Sequence, residues 1–315
     1  MESVQVAADN GLRTFAEVRQ RARELGPKRV GVVLADDEVA LTAAAEAMRA
    51  NIADPILIGE EKDIRARAEK LGFSDLAAKA EYVHSGHDPL EAATLGVALA
   101  RGGKIDILMK GHLRTDQLFG PVLDKEKGLR TGNILSDIAF FEHKTDSGVK
   151  LVGIVDGGLN PAPQLKQKAQ IVRSAIEMLK AMGIAKPKIA VMSAVEVVSE
   201  GIQSTVDAQA LTEMGKAGEF GDAEVFGPLA LDNALFEWSA KIKGITSPVA
   251  GHADCLIVPT VEAGNMLAKS INWLVGCEFG HVVTGAKVPI LIPSRVERAQ
   301  DKINAMALGV LYASR

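Results

Sequence analysis

Short apolar runs alternate along most of the chain with stretches in which apolar residues recur every three or four positions. The first pattern predicts buried strands, the second amphipathic helices. The spacing predicts helices over Phe15 to Leu25, Leu41 to Ile52, Lys62 to Leu71 and Pro89 to Arg101, and strands over Val30 to Leu34, Pro55 to Gly59 and Ile105 to Met109. Such strand–helix–strand punctuation implies a parallel sheet with right-handed crossovers. Ligands of such sheets bind beyond the carboxyl ends of the strands.

The pattern changes in the middle of the chain. Ile134 to Glu142 and Lys150 to Val155 read as consecutive strands joined by a polar turn over residues 143–148, which predicts a hairpin or a sheet edge. A long helix over Gln164 to Met182 follows, then a strand over Lys188 to Met192 and a helix over Val206 to Ala217. The last third reads strand (Glu224 to Phe226), helix (Asp232 to Lys241), strand (Cys255 to Val258), helix (Met266 to Val275), late strands at Val282, Val283 and Val288 to Ile292, and a final helix over Arg298 to Leu311. The change in style places a domain boundary near Arg130, and a length of 315 residues agrees with one large or two medium domains.

Composition narrows the class. Hydrophobic residues make up 47% and aromatics only 4%, with a small-residue bias that suits helices packed closely on a parallel sheet, so the expected class is α/β. A net charge of −4 supplies no basic field, so no nucleic-acid partner is expected and any anion site must be built locally. No apolar stretch approaches the ~20 residues of a membrane span, and MESVQVAADNGLRTF lacks a basic-then-apolar leader pattern. Two cysteines, Cys255 and Cys277, make no disulfide framework. The expectation is a soluble protein in a reducing, cytoplasmic setting.

Three segments carry candidate chemistry. In VPILIPSRVERAQDKINAMALGVL a strand ends at Pro293 and a helix is expected from Ser294, with Ser294 and Glu297 spaced as a capping box. Arg295 falls in the first turn, beside free backbone N–H groups and the positive end of the helix dipole, which favours an anion. Asp301 lies seven residues after Ser294, about two helical turns, near the same face. A hydroxyl, a guanidinium and a carboxylate can converge there on one ligand; the same residues equally fit a plain helix cap, a solvated Arg and a surface Asp. In VAGHADCLIVPTVEAGNMLAKS a strand ends at Pro259, and residues 262–265 turn into a helix. Gly264 there allows close backbone approach to a phosphate or adenylate, Asn265 is beside it and Lys269 is one turn on; an ordinary strand–turn–helix with a glycine for geometry explains it as well. In DILMKGHLRTDQLFGPVLDKEKGLRTGNILSD the strand ends at Lys110, and His112, Arg114, Thr115 and Asp116 precede a helix that Thr115 is placed to cap. The sequence holds no GxxxxGK[ST], no GxGxxG after the first strand, no HExxH and no GxSxG. His84 and His87 form a lone HxxH without further ligands, so no metal is expected.

Taken together, KGHLRTDQLFGPVLDKEKGLRTGNILSDIAFFE, FGPLALDNALF, KGITSPVAGHADCLIVPTVEAGNMLAKS and VTGAKVPILIPSRVERAQDKINAMAL resemble the phosphate acetyl/butyryltransferase family, in order and spacing from about Val30 onward. The resemblance implies two α/β domains with a cleft between them, like the isocitrate and isopropylmalate dehydrogenases, and a homodimer. The last helix then returns to the first domain, giving residues 1–130 plus 285–315 and a second domain of 131–284 that carries the dimer interface. The implied reaction is acyl-CoA plus phosphate to acyl phosphate plus CoA, reversible, with coenzyme A a substrate and no cofactor. By the same resemblance Asp301 is the base on the CoA thiol, Ser294 stabilises the transition state, Arg295 holds phosphate and polarises the acyl carbonyl, and Thr115 belongs to the phosphate-side loop with Lys110 and Arg114. Many acetyl-specific members carry an Arg at the position matching Phe119, and KGHLRTDQLF…GLRTG is nearer the butyryl type. Acetyl-CoA is the expected substrate, with butyryl or branched acyl-CoA the alternative. A metal-dependent dehydrogenase of the same fold would need an Asp cluster and a Tyr–Lys pair, and neither Tyr82 nor Tyr312 has that context. Intact Ser294, Arg295 and Asp301 argue against a non-catalytic member.

Overall fold

A computed structural model describes residues 11–146, 148–294 and 297–315. Arg295, expected at the site, lies outside the described residues, as do the first ten residues. The chain divides into two compact units, one of residues 18–135 and 278–315, the other of residues up to 17 and 136–277.

After the helix α1 (Phe15–Leu25), the run continues β1 (Lys28–Val33), α2 (Glu38–Arg49), β2 (Ala53–Gly59), α3 (Glu61–Lys70), α4 (Ser74–Lys79), β3 (Glu81–His84), α5 (Pro89–Arg101), β4 (Ile107–Lys110) and α6 (Thr115–Val122). α4 and β3 were not anticipated from the pattern; each is short, and β3 is exposed at both ends, so no apolar run marks it. Strands β1 to β4 are all parallel, β2 lying between β3 and β1 and β1 between β2 and β4. β4 is buried at every residue, which is why it reads as a continuous apolar run rather than an alternation.

The second unit opens with β5 (Ser136–Thr145) and β6 (Gly148–Val155), an antiparallel hairpin paired from Ala139↔Ile154 to Thr145↔Gly148. The connection is therefore shorter than the turn expected over 143–148: His143, Lys144 and Thr145 extend the strand, because ladder pairing tolerates polar side chains on an outward face. Next come α7 (Leu165–Ala181), β7 (Lys188–Met192), α8 (Gln203–Lys216), β8 (Glu224–Leu229), α9 (Leu231–Leu235), α10 (Glu237–Ile242), β9 (Cys255–Ile257) and α11 (Val261–Lys269), the last running into a π-helical turn over Ser270–Val275. β9 pairs in parallel with both β6 and β7. The helix expected over 232–241 is broken at Phe236, whose extended backbone interrupts the ladder.

The chain then returns to the first unit with β10 (Phe279–Thr284), β11 (Ile290–Leu291) and α12 (Ala299–Ala313). β11 pairs in parallel with β4 and antiparallel with β10. Every residue of α12 from Asp301 to Tyr312 is buried, including Asp301, Lys302 and Asn304. A helix buried on all sides with three polar residues near its start needs specific partners for each of them. Among the described residues, no helix is long and apolar enough to cross a membrane.

Candidate active site

The carboxyl ends of β1, β4 and β11 lie side by side, since Val33 is opposite Lys110 and Leu291 opposite Met109. The chains leaving β4 and β11 therefore emerge at one edge, the edge where parallel sheets bind ligands. Lys110, the last residue of β4, is buried, and its Nζ donates to the carbonyl of Leu113 at 3.3 Å. Gly111 follows and donates to the Val33 carbonyl at 2.9 Å. A Cβ at Gly111 would collide with the backbone oxygens of Val33 and Leu34, so only glycine lets the strand turn here.

Thr115 is the first residue of α6 and not its cap; Arg114 is the N-cap, and its N–H donates to Gln117 Oε1 at 2.9 Å. The Arg114 guanidinium is exposed and bound by Asp116, with Nε to Oδ1 at 2.9 Å. That pairing holds Arg114 above, and Asp116 below, their ordinary pKa values. Phe119 is buried, its ring turned into the unit.

At the other strand end, the helix expected from Ser294 does not start there. α12 begins at Ala299, because Arg298 is its N-cap with an extended backbone (φ −64°, ψ 150°) through which no helix runs. Ser294 and Glu297 still form a reciprocal pair ahead of it: the Ser294 N–H donates to Glu297 Oε1 at 3.0 Å, and the Glu297 N–H to the Ser294 carbonyl at 3.2 Å. Asp301 is no surface residue. It is 1% exposed in the first turn of α12; its Oδ1 accepts the Phe279 N–H at 3.2 Å and its Oδ2 accepts Arg298 Nε at 3.2 Å. Burial pushes its pKa above the ordinary Asp value, outweighing the Arg298 charge and the Phe279 N–H. Lys302, next along and also buried, donates from Nζ to the Glu297 carbonyl at 2.5 Å. Burial lowers its pKa against the pull of Glu297, Asp37 and Asp301, and the like charge of Lys110 lowers it further.

Gly264, Asn265 and Lys269 belong to the other unit. Gly264 and Asn265 lie inside α11 rather than in a turn before it, since Thr260 is the N-cap. Gly264 is buried against the loop after β6, where a Cβ would stand 2.6 Å from the Asp156 carbonyl, so its contact is with this backbone. Asn265 donates to the Gly157 carbonyl at 3.1 Å, and Lys269 is exposed at the helix end. Asp156, which the pattern did not single out, builds that loop: it is buried and accepts the N–H groups of Gly158 and Leu159 at 2.7 and 2.8 Å. Burial raises its pKa, and neighbouring Asp137 adds to the rise. His84 and His87 pair separately with Glu60 and Asp63 at 3.5 Å, and among the described residues no three His, Cys, Asp or Glu side chains group to hold a metal.

The family model described as "Phosphate acetyl/butaryl transferase" matches residues 87–310, which include both strand ends and the start of α12. The chain belongs to the phosphate acetyl/butyryltransferase family. It is 36% identical to a phosphate butyryltransferase of Clostridium beijerinckii, covering 96% of this chain and 99% of that one. It is 40% identical to a phosphate acetyltransferase of Rhizobium meliloti, covering 89% and 87%. A solved branched-chain phosphotransacylase from Enterococcus faecalis superposes with a TM-score of 0.79 at 28% identity, over 91% of this chain and 99% of that one. Membership makes the protein an acyltransferase. Within this acyltransferase the sequence reading overlooked Arg298, His281 and Lys302. Arg298 was legible as a partner of Asp301 from its three-residue spacing on a helix start. His281 was not, because a histidine in the middle of a buried strand announces no neighbour.

Proposed function

We propose that the protein catalyses acyl-CoA + phosphate ⇌ acyl phosphate + CoA with Asp301 as the base on the CoA thiol. The observation that carries this reading is the buried Asp301 carboxyl, held in place by Phe279 and Arg298 with its pKa raised. A thiol near pKa ~8.5 is mostly protonated at neutral pH, and a base whose pKa is raised toward neutrality accepts its proton more readily. In the direction of acyl phosphate consumption, Asp301 takes the thiol proton and the thiolate sulfur bonds to the carbonyl carbon. The carbon–oxygen bond to phosphate then breaks and phosphate leaves with the bonding pair. In reverse, a phosphate oxygen attacks the thioester and the leaving thiolate recovers the proton from Asp301. The Ser294 hydroxyl donates to the developing oxyanion and Arg295 binds phosphate and polarises the carbonyl. Lys110 and Thr115 supply the phosphate side, with Arg114 secondary because Asp116 engages it. Asn265 and Lys269 serve the CoA side, whereas Gly264 packs against the Asp156 backbone. No metal or cofactor takes part, and the enzyme works in the cytoplasm.

The architecture proposed is that of the isocitrate and isopropylmalate dehydrogenases, its domains being the two units, with the residues up to 17 grouped with 136–277 rather than, as expected, with the first domain. A fold-level likeness to 4-hydroxythreonine-4-phosphate dehydrogenase from Klebsiella pneumoniae, TM-score 0.52 at 12% identity, supports a dehydrogenase-type fold.

Purified protein is expected to release CoA from acetyl-CoA only when phosphate is added, and EDTA is expected to leave the rate unchanged. No phosphate-dependent release from any acyl-CoA of two to five carbons would refute the assignment. Acetyl-CoA is the proposed favoured substrate, with propionyl- and butyryl-CoA accepted, since the buried Phe119 offers no charge in α6. Contact alone is worth ~0.8 kcal/mol per methylene, roughly fourfold in rate. A preference of several hundredfold between adjacent chain lengths would show steric exclusion instead.

A homodimer formed through the second unit accounts for its exposed apolar side chains. Trp238, Ile242, Trp273, Val275 and above all Leu274, 84% exposed, lie on α10 and the π-helical turn. Large apolar side chains this exposed fit an interface between copies of the chain. Light scattering on the wild type is expected to give twice the chain mass, and Leu274→Asp to shift it toward the monomer; a monomeric wild type would overturn this.

A further inference from the structure

We propose that Glu297, bonded to Lys302 through its backbone and facing His281, is a positioning residue for Ser294, and that acyl transfer depends on this latch. The inference rests on the role proposed above for Ser294. β11 ends at Leu291 and α12 starts at Ala299, so Ser294 has neither a strand ladder nor a helical turn to fix it. What fixes it is Glu297, through the two reciprocal bonds between them at 3.0 and 3.2 Å.

An ordinary capping glutamate sits in solvent. This one is largely covered, its side chain 11% exposed, and a carboxylate so shielded from water must be compensated. The His281 Nε2 lies 3.6 Å from Glu297 Oε1, the same oxygen that accepts the Ser294 N–H. From the opposite side in sequence, Lys302 reaches back from α12 to the Glu297 carbonyl at 2.5 Å. Burial drives the Glu297 carboxyl up, yet His281, the Ser294 N–H and Lys302 together hold it below its usual value. Glu297 is thus tied to α12 through its backbone, while its carboxylate faces the His281 ring of β10 at 3.6 Å, beyond hydrogen-bond reach but near enough for a protonated imidazole to attract it. A transition-state donor displaced by about 1 Å loses on the order of 10²-fold in rate, so a residue that only holds Ser294 has a kinetic signature.

The test compares Glu297→Ala, Glu297→Gln, Ser294→Ala and the double variant Glu297→Ala/Ser294→Ala by kcat, both KM values, thermal midpoint and hydrogen exchange at the Ser294 amide. Glu297→Ala is expected to lower kcat ~10–100-fold with the acyl-CoA KM within about threefold. Glu297→Gln, which keeps an oxygen for the Ser294 N–H, is expected to recover most of that loss. In the Ser294→Ala background Glu297→Ala is expected to add little, because two residues acting as a unit are not additive. Full additivity, or a lowered midpoint with kcat intact, would overturn the proposal. Exchange at the Ser294 amide separates the latch from the chemistry. Faster exchange in Glu297→Ala beside a fully active Ser294→Ala would retire the Ser294 role; unchanged exchange would retire the latch. Should Glu297→Ala not fold, His281→Asn removes the facing imidazole and is expected to lower kcat about 3–10-fold, again without moving the acyl-CoA KM; wild-type kcat there would also overturn it.

Discussion

Asp301→Asn is expected to lower kcat by about 10²–10⁴, the usual cost of losing a general base, while leaving the thermal midpoint at neutral pH unchanged or higher. The two effects point in opposite directions for one physical reason. Asparagine keeps an oxygen for the Phe279 N–H, and the pairing it gives up is with Arg298, a side chain 44% exposed, whose ion pair water screens. The native carboxyl titrates above its unfolded value because of burial. A group raised in this way contributes stability below its unfolded pKa, near 3.9 for Asp, and that contribution is lost as pH rises through the native pKa. Once ionised, Asp301 therefore costs the wild type stability that the neutral amide does not. The same shift sets the rate profile: kcat/KM is expected to rise with pH through a value above the ordinary Asp range. Calorimetry and steady-state kinetics on both proteins between pH 4 and 8 decide it. Wild-type turnover in Asp301→Asn would remove the base from the mechanism, and a large fall in midpoint would make Asp301 a structural residue.

The largest loss of stability is expected in the other unit, at Asp207→Ala. Lys168 on α7 and Asp207 on α8 form an ion pair at 2.7 Å, and both are buried. Gln203 donates to the second Asp207 oxygen at 2.9 Å. Removing the carboxylate leaves an ammonium buried without a counter-charge, which costs about 3–5 kcal/mol. Urea unfolding should show this as a lowered midpoint, with turnover per folded molecule near wild type. The double replacement Lys168→Met/Asp207→Leu removes both charges and is expected to return most of the loss, since an apolar pair of similar size tolerates burial. A loss below ~1 kcal/mol in Asp207→Ala would mean that water reaches Lys168.

The alternation of apolar strands and amphipathic helices was enough by itself to place most elements, because a parallel strand buried on both faces and a helix buried on one leave different periods in the sequence. α5 and β7 fall where the pattern puts them, at Pro89–Arg101 and Lys188–Met192. The family was also legible, carried by segments whose wording is specific. What only the tertiary structure decided lies where local signals mislead. Ser294 and Glu297 carry the letters of a capping box, yet the helix waits until Ala299, because Arg298 with its extended backbone is the N-cap. Seven-residue spacing put Asp301 on one helical face with Ser294, whereas no helix joins them, and its burial depends on β10 packing over α12. Gly264 has the letters of a ligand loop and spends its missing Cβ on the Asp156 carbonyl. Periodicity reports which side of an element faces the core; it carries no information about which remote strand covers a polar group there, and that covering is what raises the pKa of Asp301.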